Sequence, residues 1–351
     1  MNSLPQESHN WPDLLNQLIA GDDLSKQDTI WAMDQVMSGS ATQAQIAGFA
    51  VALRAKGETP AEISGMASAM LEHANRIHVD TRALDIVGTG GDRSGSVNIS
   101  TMAALVVAAT GAPVVKHGNR AASSKAGTAD VLEALGIAID LPPEAVQRSV
   151  QEVGIGFCFA PVFHPGFRHT GGPRRELGVP TSFNLLGPLT NPAQPSSALI
   201  GCAYENKMEI LAEIFAQRGM SALVVRGDDG LDEMTTTTTS SVWVIENGTK
   251  HRETVDPSFL DIPKATPEDL RGGSAQENAV VVTELLNGKT GPVRDAVLLN
   301  AAGALAAYRG FSGSLTEDLA KEFTVAAEAI DSGAGANLLS RWVDFSRAAK
   351  A

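Results

Sequence analysis

The chain has 351 residues, of which 43% are hydrophobic and 19% are charged, and its formal net charge is -13. The composition is that of an ordinary globular protein, the length is sufficient for one large domain plus a smaller one, and the acidic balance disfavours a general nucleic-acid binder. The first ten residues carry no signal-peptide pattern, and the longest apolar stretch, 102–109, is too short to span a bilayer. We therefore expect a cytoplasmic protein. Cys158 and Cys202 are expected to be buried reduced thiols.

Residues 11–77 carry the signals of helices and no alternation typical of a strand. Ser25 and Thr42 can each cap a helix. Residues 59–62 read Thr-Pro-Ala-Glu, which is a capping box with proline at the first helical position. The start of the chain is therefore predicted to form a small all-helical domain.

From Leu84 onward, short β-type runs alternate with helical ones. Such alternation predicts a largely parallel sheet covered by helices, with ligands bound at the carboxyl ends of the strands. Asn247-Gly248 predicts a hairpin turn, and the run Thr235–Thr239 is expected to enter an extended segment. The predicted strands are 84–87, 113–116, 156–159, 198–203 and 222–226, with hairpin strands at 241–246 and 251–255. The predicted helices of this part include 98–110, 126–135, 143–153, 205–218, 293–308 and 317–342.

Gly88–Asp92 reads Gly-Thr-Gly-Gly-Asp and comes directly after the first predicted strand. Three glycines let the backbone approach a ligand closely, and successive N–H groups of such a loop can converge on an anion. Asn98–Thr101 then opens a helix, whose positive end favours phosphate. A carboxylate beside phosphate is favourable only with a cation between them, so the pattern favours a metal-bound diphosphate. A tight turn without a ligand is the alternative for the loop. For Ser100 and Thr101 the alternative is simple N-capping, which is compatible with ligand binding.

A local basic stretch follows the second predicted strand. Lys116, Arg120 and Lys125 fall within ten residues of an acidic protein, interleaved with glycine and serine. Their position at a strand's carboxyl end favours an anion site over solvated surface charge. His117 is either a base or a histidine fixed in a loop by hydrogen bonds.

Two further groups of charged residues suggest ligand binding. The acidic stretch 228–233 offers the oxygen ligands that Mg²⁺ prefers, although an exposed acidic turn is equally compatible. Arg168, Arg174 and Arg175 flank a Gly-Gly-Pro, and an arginine can hold a carboxylate through two parallel N–H bonds. Surface placement is expected for two of the three. The sequence contains no zinc-ligand cluster and no nucleophile motif.

In this order, these motifs strongly resemble the anthranilate phosphoribosyltransferase family over nearly the whole chain. The resemblance rests on Gly-Thr-Gly-Gly-Asp at 88–92, Asn-Ile-Ser-Thr at 98–101, Lys-His-Gly-Asn-Arg at 116–120, Ala-Asp-Val-Leu-Glu-Ala-Leu-Gly at 129–136, Phe-Asn-Leu-Leu-Gly-Pro-Leu-Thr-Asn-Pro at 183–192 and Gly-Leu-Asp-Glu at 230–233.

The resemblance implies a Mg²⁺-dependent enzyme of tryptophan biosynthesis. Such enzymes transfer phosphoribose from 5-phosphoribosyl 1-diphosphate (PRPP) to the amino group of anthranilate. The implied architecture is a small helical domain, 1–80 with roughly 174–192, hinged to a large α/β domain, 81–173 with 193–351. The family implies a homodimer with no nucleic-acid or membrane partner. No general base is expected, because the aromatic amine is already neutral near pH 7.

The resemblance also implies a set of site residues, transferred position by position. The anthranilate contacts would be Gly88, Asn119 and Arg174, and the metal ligands Ser100, Asp232 and Glu233. The PRPP contacts would be Gly88, Gly91, Asp92, Ser96, Asn98, Ile99, Ser100, Thr101, Lys116, His117, Gly118, Asn119, Arg120, Ala121, Ala122, Ser123, Ser124 and Thr128.

The chain departs from the family pattern at three places. Arg93 stands where members often have glycine, Thr128 replaces a frequent serine, and Gly171-Gly172-Pro173 before Arg174 is unusual. The runner-up activity is a pyrimidine-nucleoside phosphorylase, which uses free phosphate and does not need the Asp232-Glu233 pair. A phosphoribosyl- or nucleic-acid-binding relative without turnover is the third reading.

Overall fold

The computed structural model describes residues 9–121 and 125–350. By their contacts these residues divide into two units. The helical unit comprises the described residues up to Ala74 together with His164–Thr190, and the α/β unit comprises Asn75–Phe163 and the described residues from Asn191 onward. The predicted fold class, a helical domain plus an α/β domain with a mostly parallel sheet, is confirmed.

The helical unit is built on the capping signals of the sequence. Ser25, Thr42 and Thr59 each accept a hydrogen bond from the backbone at the third helical residue, and all three form complete capping boxes. The later segment joins these helices through Ser182, whose hydroxyl donates to buried Glu58 over 2.6 Å. The α-helices are Trp11–Ala20, Lys26–Met37, Gln43–Lys56, Pro60–Glu72, Gly171–Leu177 and Leu186–Leu189, with 3-10 turns at Pro165–Thr170 and Ser182–Leu185.

The α/β unit contains a seven-stranded sheet. Its strands are β1 (Leu84–Gly88), β2 (Val114–Gly118), β3 (Ile155–Phe159), β4 (Ser197–Gly201), β5 (Ser221–Gly227), β6 (Ser240–Glu246) and β7 (Thr249–Val255). Their order is β3-β2-β1-β4-β5-β6-β7, and the first five are parallel while β6 and β7 are antiparallel. Since β1 has β2 on one side and β4 on the other, the chain reverses direction across the sheet beside β1. This is where such sheets bind ligands.

The hairpin predicted from Asn-Gly is present. Asn247 and Gly248 join β6 to β7 with φ of 52° and 75°, and two positive values in succession are those of a type I′ turn.

Helices pack against the sheet and bury an apolar core. The helix Ile99–Ala109 is buried almost all round, which explains why its sequence lacks a polar face. The other α-helices are Thr128–Ala134, Pro143–Val153, Ala160–Phe163, Glu205–Gln217, Ala275–Leu286, Pro292–Arg309, Leu315–Asp331 and Ala334–Lys350, with a 3-10 turn at Pro257–Leu260. The predicted tail 317–342 is interrupted at Gly333, where φ is 77°. Among the described residues, no helix combines the length and apolar character needed to cross a membrane.

The prediction for Thr235–Thr239 is wrong, because this run is not a strand and residues 236–238 form a bend before β6. Their hydroxyls bind two neighbouring carboxylates instead. Thr235 donates to Asp229 over 2.8 Å, and Thr239 donates to Asp228. Side-chain hydrogen bonds of this kind compete with ladder formation and outweigh the extended preference of β-branched residues.

Candidate active site

Three carboxylates from two distant loops meet at the carboxyl end of the sheet. Asp92 ends the glycine loop after β1, and Asp232 and Glu233 lie in the loop after β5. One carboxylate oxygen from each lies within 4.8 Å of the other two. The glycine loop also binds this cluster directly, because the backbone N–H of Gly90 donates to Asp232 Oδ2 over 2.7 Å. Asp92 is therefore a third carboxylate beside the two predicted carboxylate ligands, Asp232 and Glu233.

Two strand-ending glycines make room for Asp232. A Cβ on Gly88 of β1 would lie 2.2 Å from Asp232 Oδ2, and a Cβ on Gly201 of β4 would lie 1.5 Å from the Asp232 backbone oxygen. A larger residue at Gly201 would collide with the backbone of the acidic loop, and one at Gly88 would displace the Asp232 side chain. The sequence thus places glycine at the ends of neighbouring strands so that Asp232 can lie across them.

The acidic cluster is electrostatically poised for a cation. Burial, with the nearby charge of Asp92, raises the pKa of Asp232 above its ordinary value. Burial and the charges of Asp232 and Asp92 raise the pKa of Glu233 well above its ordinary value, although the Ser100 backbone N–H partly offsets this by binding the carboxylate. Crowded, desolvated carboxylates repel one another unless a cation lies among them, and Mg²⁺ is bound by such oxygen ligands. The residues present therefore fit a divalent cation.

Lys116 brings a buried positive charge next to this cluster. Its side chain is 1% exposed, and its ammonium group donates to the Ile86 carbonyl oxygen and, over 3.3 Å, to the Ser100 hydroxyl. Burial lowers the pKa of Lys116 to about 8, while the charges of Asp85, Glu233 and Asp232 act in the opposite direction. A cation held in this way can attract a phosphate group without being neutralised by a direct ion pair.

The start of the helix Ile99–Ala109 completes this wall. The reading of Ser100 and Thr101 as simple N-caps is wrong, since both lie inside the helix and Asn98 is the cap residue, without a side-chain capping bond. The side chain of Asn98 instead donates to the Ala126 carbonyl oxygen, and Thr101 donates to Thr128 over 3.3 Å. These bonds join the helix start to the segment that follows β2. Thr128 therefore supplies a hydroxyl group at this position, as the serine frequent in the family would.

The basic stretch after β2 divides into different roles. His117 lies inside β2 rather than in a loop, and its backbone N–H donates to Asp85. The Arg120 side chain pairs with Asp130 and Glu133 over 2.9 Å each, and these bonds raise its pKa. The remaining predicted residues Gly91, Ser96, Ile99, Gly118, Asn119 and Ala121 lie in or beside the loops and strand ends described above, while Ala122, Ser123 and Ser124 lie outside the described residues.

Arg93 follows Asp92 in a conformation that glycine adopts most easily. Its φ is 60°, whereas most side-chain-bearing residues avoid this left-handed region. The glycine that family members often carry at this position is therefore the residue that the local backbone favours.

Arg174 belongs to the helical unit. It lies in the helix Gly171–Leu177, so the unusual Gly-Gly-Pro forms the first turn of that helix, with Pro173 buried. The guanidinium carbon of Arg174 is 5.3 Å from the centre of the Phe167 ring, and this ring packs edge-on against Phe183 at 6.0 Å. Stacking on an aromatic face fixes the plane of the guanidinium group.

Some predicted residues lie outside the acidic cluster, and one buried residue near it was not predicted. Asp228 and Asp229, in the acidic stretch, are bound by threonine hydroxyls, and only Asp232 and Glu233 reach the cluster. Cys158 and Cys202 are buried free thiols, as expected. Sequence reasoning missed Asp85. Its position inside an otherwise apolar strand was a signal that could have identified it.

Family models match most of the chain. The model described as "Glycosyl transferase family, a/b domain" matches residues 80–336, and that described as "Glycosyl transferase family, helical bundle domain" matches residues 12–74.

Curated relatives and solved structures match nearly the full length. The anthranilate phosphoribosyltransferase of Saccharopolyspora erythraea is 64% identical over 333 residues, which cover 95% of each chain. That of Thermobifida fusca is 59% identical over 338 residues, covering 96% of this chain and 97% of the relative. The crystal structure of anthranilate phosphoribosyltransferase from Thermus thermophilus is 42% identical, with a TM-score of 0.89, and covers 95% of this chain and 99% of that one. The enzyme of Saccharomyces cerevisiae in complex with PRPP and Mg is 26% identical, with a TM-score of 0.88, and covers 96% and 98%.

Proposed function

The chain belongs to the anthranilate phosphoribosyltransferase family, and from this premise we propose how its own residues transfer phosphoribose from PRPP to the amino group of anthranilate. The observation that carries the proposal is the acidic cluster of Asp92, Asp232 and Glu233 beside Lys116 at the carboxyl end of the sheet. Carboxylates and a lysine at one place are suited to a cation and a polyphosphate bound together.

Asp232 and Glu233 would hold Mg²⁺, with Asp92 beside them and Ser100 as the further ligand that the family resemblance implies. When bound, Mg²⁺ offsets negative charge on the diphosphate and makes it a better leaving group. The proposal draws support from the raised pKa values of Asp232 and Glu233, since a cation among these carboxylates would relieve the unfavourable burial of their charges.

The protein's own groups stabilise charge and position the substrates. The glycine loop Gly88–Asp92 offers backbone N–H groups to the diphosphate, and Lys116 provides a positive charge as negative charge develops on the leaving group. Displacement at the ribose C1 proceeds with inversion through an oxocarbenium-like state. The bond from C1 to the diphosphate oxygen breaks, the bond from C1 to the anthranilate nitrogen forms, and that nitrogen releases one proton to water or to the departing diphosphate. No general base is needed, because the aromatic amine of anthranilate is neutral near pH 7, so positioning supplies most of the rate.

Recognition of anthranilate is assigned to Arg174 through its carboxylate, together with Gly88 and Asn119. Arg174 can form two parallel N–H bonds to a carboxylate, and its contact with Phe167 holds the guanidinium plane. The remaining PRPP contacts are those implied by the resemblance. They include Ser96, Asn98 and Thr128, while Arg120 contributes by organising its loop through Asp130 and Glu133.

A fluorescence assay of anthranilate consumption tests this function. We expect consumption that requires both PRPP and Mg²⁺, and that stops when either is omitted. Phosphorolysis of thymidine or uridine with free phosphate, without anthranilate consumption, would instead identify a nucleoside phosphorylase. A gel shift with single-stranded DNA and no turnover would favour a binding protein.

Family membership also supports two further inferences. We infer that the protein works as a homodimer and that it acts in the cytoplasm, where a tryptophan-pathway enzyme meets its substrates. Sedimentation equilibrium at the concentration used for the assay tests the first inference, and a monomer with full activity would overturn it. Fractionation of the source cells tests the second.

A further inference from the structure

The strands β1 and β2 separate where their loops reach the active site. In the part of the chain that the structure describes, they are in register only at Leu84↔Val114. By contrast, β1 pairs with β4 at five positions, and β2 pairs with β3 at five positions. The ladder of backbone hydrogen bonds is therefore continuous on both outer sides but stops after one pair between these two strands.

Polar side chains occupy the positions of the missing ladder bonds. A parallel ladder continued from Leu84↔Val114 would join the Ile86 N–H to the Val115 carbonyl and the His117 N–H to the Ile86 carbonyl. Instead, the Val115 carbonyl accepts from Asn191 Nδ2 over 2.7 Å, and the Ile86 carbonyl accepts from Lys116 Nζ.

Asp85 binds the two remaining backbone N–H groups. Its Oδ1 accepts from the His117 N–H over 3.2 Å, and its carboxylate also binds the Ile86 N–H. Its Oδ2 accepts from Asn191 Nδ2 over 2.8 Å. Asp85, Asn191 and Lys116 thus replace ladder bonds that would close the strands.

This arrangement places charged groups in the core and binds them through the hydrogen bonds just described. Asp85, Asn191 and Lys116 are 2%, 5% and 1% exposed, and burial raises the pKa of Asp85 to about 6. A buried charge persists only where its bonds are satisfied, and an apolar strand pair would cost less. Groups that lower the stability of a folded protein in this way are concentrated at functional sites.

We propose that Asp85 and Asn191 are positioning residues for the PRPP site: they keep β1 and β2 apart so that Lys116 and the glycine loop are held at the separation that the diphosphate requires. The inference rests on the proposed function of that site. None of the hydrogen bonds described above joins Asp85 or Asn191 to a predicted metal ligand. None joins them to a residue predicted to bind anthranilate. Asn191 is itself fixed, since its Oδ1 accepts from the Ala193 N–H over 2.9 Å.

The experiment compares Asn191→Ala with a matched control. Ser149→Ala also removes a buried bond from a side chain to a strand carbonyl, because Ser149 donates to Ile155 over 2.6 Å at the amino end of β3. We expect both variants to lose thermal stability. Only Asn191→Ala should raise the KM for PRPP, on the order of tenfold, because it removes the two buried hydrogen bonds that hold β1 and β2 beside the PRPP site. The KM for anthranilate should stay within about twofold in both variants, because neither change alters an anthranilate contact.

Equal KM values for PRPP in the two variants, or equal rises in both KM values for Asn191→Ala, would overturn the inference. If Asn191→Ala does not fold, Asp85→Asn is the second variant. It keeps the side-chain volume but places an amide N–H group against an N–H donor of His117 or Asn191. This variant should also raise the KM for PRPP. An inactive wild-type protein would instead refute the proposed function, so the two failures are distinguishable.

Discussion

Replacing Gly88 with alanine should disable the metal site without unfolding the sheet. The added Cβ would lie 2.2 Å from Asp232 Oδ2 and 2.9 Å from its Cγ, whereas ordinary contact begins at 3.4 Å. The carboxylate oxygen must therefore retreat by about 1.2 Å, which is 3.4 less 2.2. The side chain can rotate, so the strand itself can remain in place.

That movement breaks the 2.7 Å bond from the Gly90 N–H to Asp232 and takes the carboxylate away from its two partners. A hydrogen bond to a charged group contributes about 1.5–3 kcal/mol, which is equivalent to roughly ten- to a hundredfold in binding. We expect the Mg²⁺ concentration for half-maximal turnover to rise by at least about tenfold.

The assay is anthranilate consumption titrated with Mg²⁺ at saturating PRPP. The control is Gly154→Ala, where φ is 99° and the added Cβ meets nothing within 4 Å. It should cost about 1–2 kcal/mol of stability through backbone strain and leave the Mg²⁺ titration unchanged. Wild-type Mg²⁺ dependence and kcat in Gly88→Ala would refute the placement of Asp232 between the strand ends.

Further predictions address the other charged groups. Alanine at both Asp232 and Glu233 should remove most Mg²⁺-dependent turnover while circular dichroism shows an intact fold, and unchanged turnover would end the metal assignment. Arg174→Ala should raise the KM for anthranilate far more than that for PRPP, and equal effects would count against its role. Arg93→Gly should raise the free energy of unfolding by up to about 1 kcal/mol by relieving the left-handed strain, measurable by urea denaturation, and a loss of stability would contradict this. The pKa of Lys116 is lowered to about 8 from 10.5, so between these pH values the unfolded chain binds more protons than the folded one. The contribution of Lys116 to the free energy of unfolding therefore rises with pH across this window. The KM for PRPP should rise over the same range as the lysine loses its charge, and a flat profile would contradict the role of that charge.

Local patterns in the sequence predicted much of the fold. The capping boxes at Ser25, Thr42 and Thr59, the alternation of strands and helices and the Asn-Gly hairpin are all present, because each depends on residues close together in the chain. The same holds for the glycine loop Gly88–Asp92, whose composition indicates a close approach to an anion. The threonine run shows the limit of such reasoning, since hydrogen bonds from its hydroxyls to Asp228 and Asp229 in the same loop overrode an intrinsic preference.

Local sequence patterns establish which chemical groups are available and at which strand ends they lie. Which of these groups meet depends on how the strands are ordered in the folded sheet. Asp92 joins Asp232 because β1 and β5 both flank β4, and Asn191 reaches Asp85 across 106 positions of sequence. Contacts between such distant residues depend on strand order and on the space that glycines such as Gly88 and Gly201 leave. Neither strand order nor that space can be read from the local pattern of side chains, because both arise only when the sheet assembles.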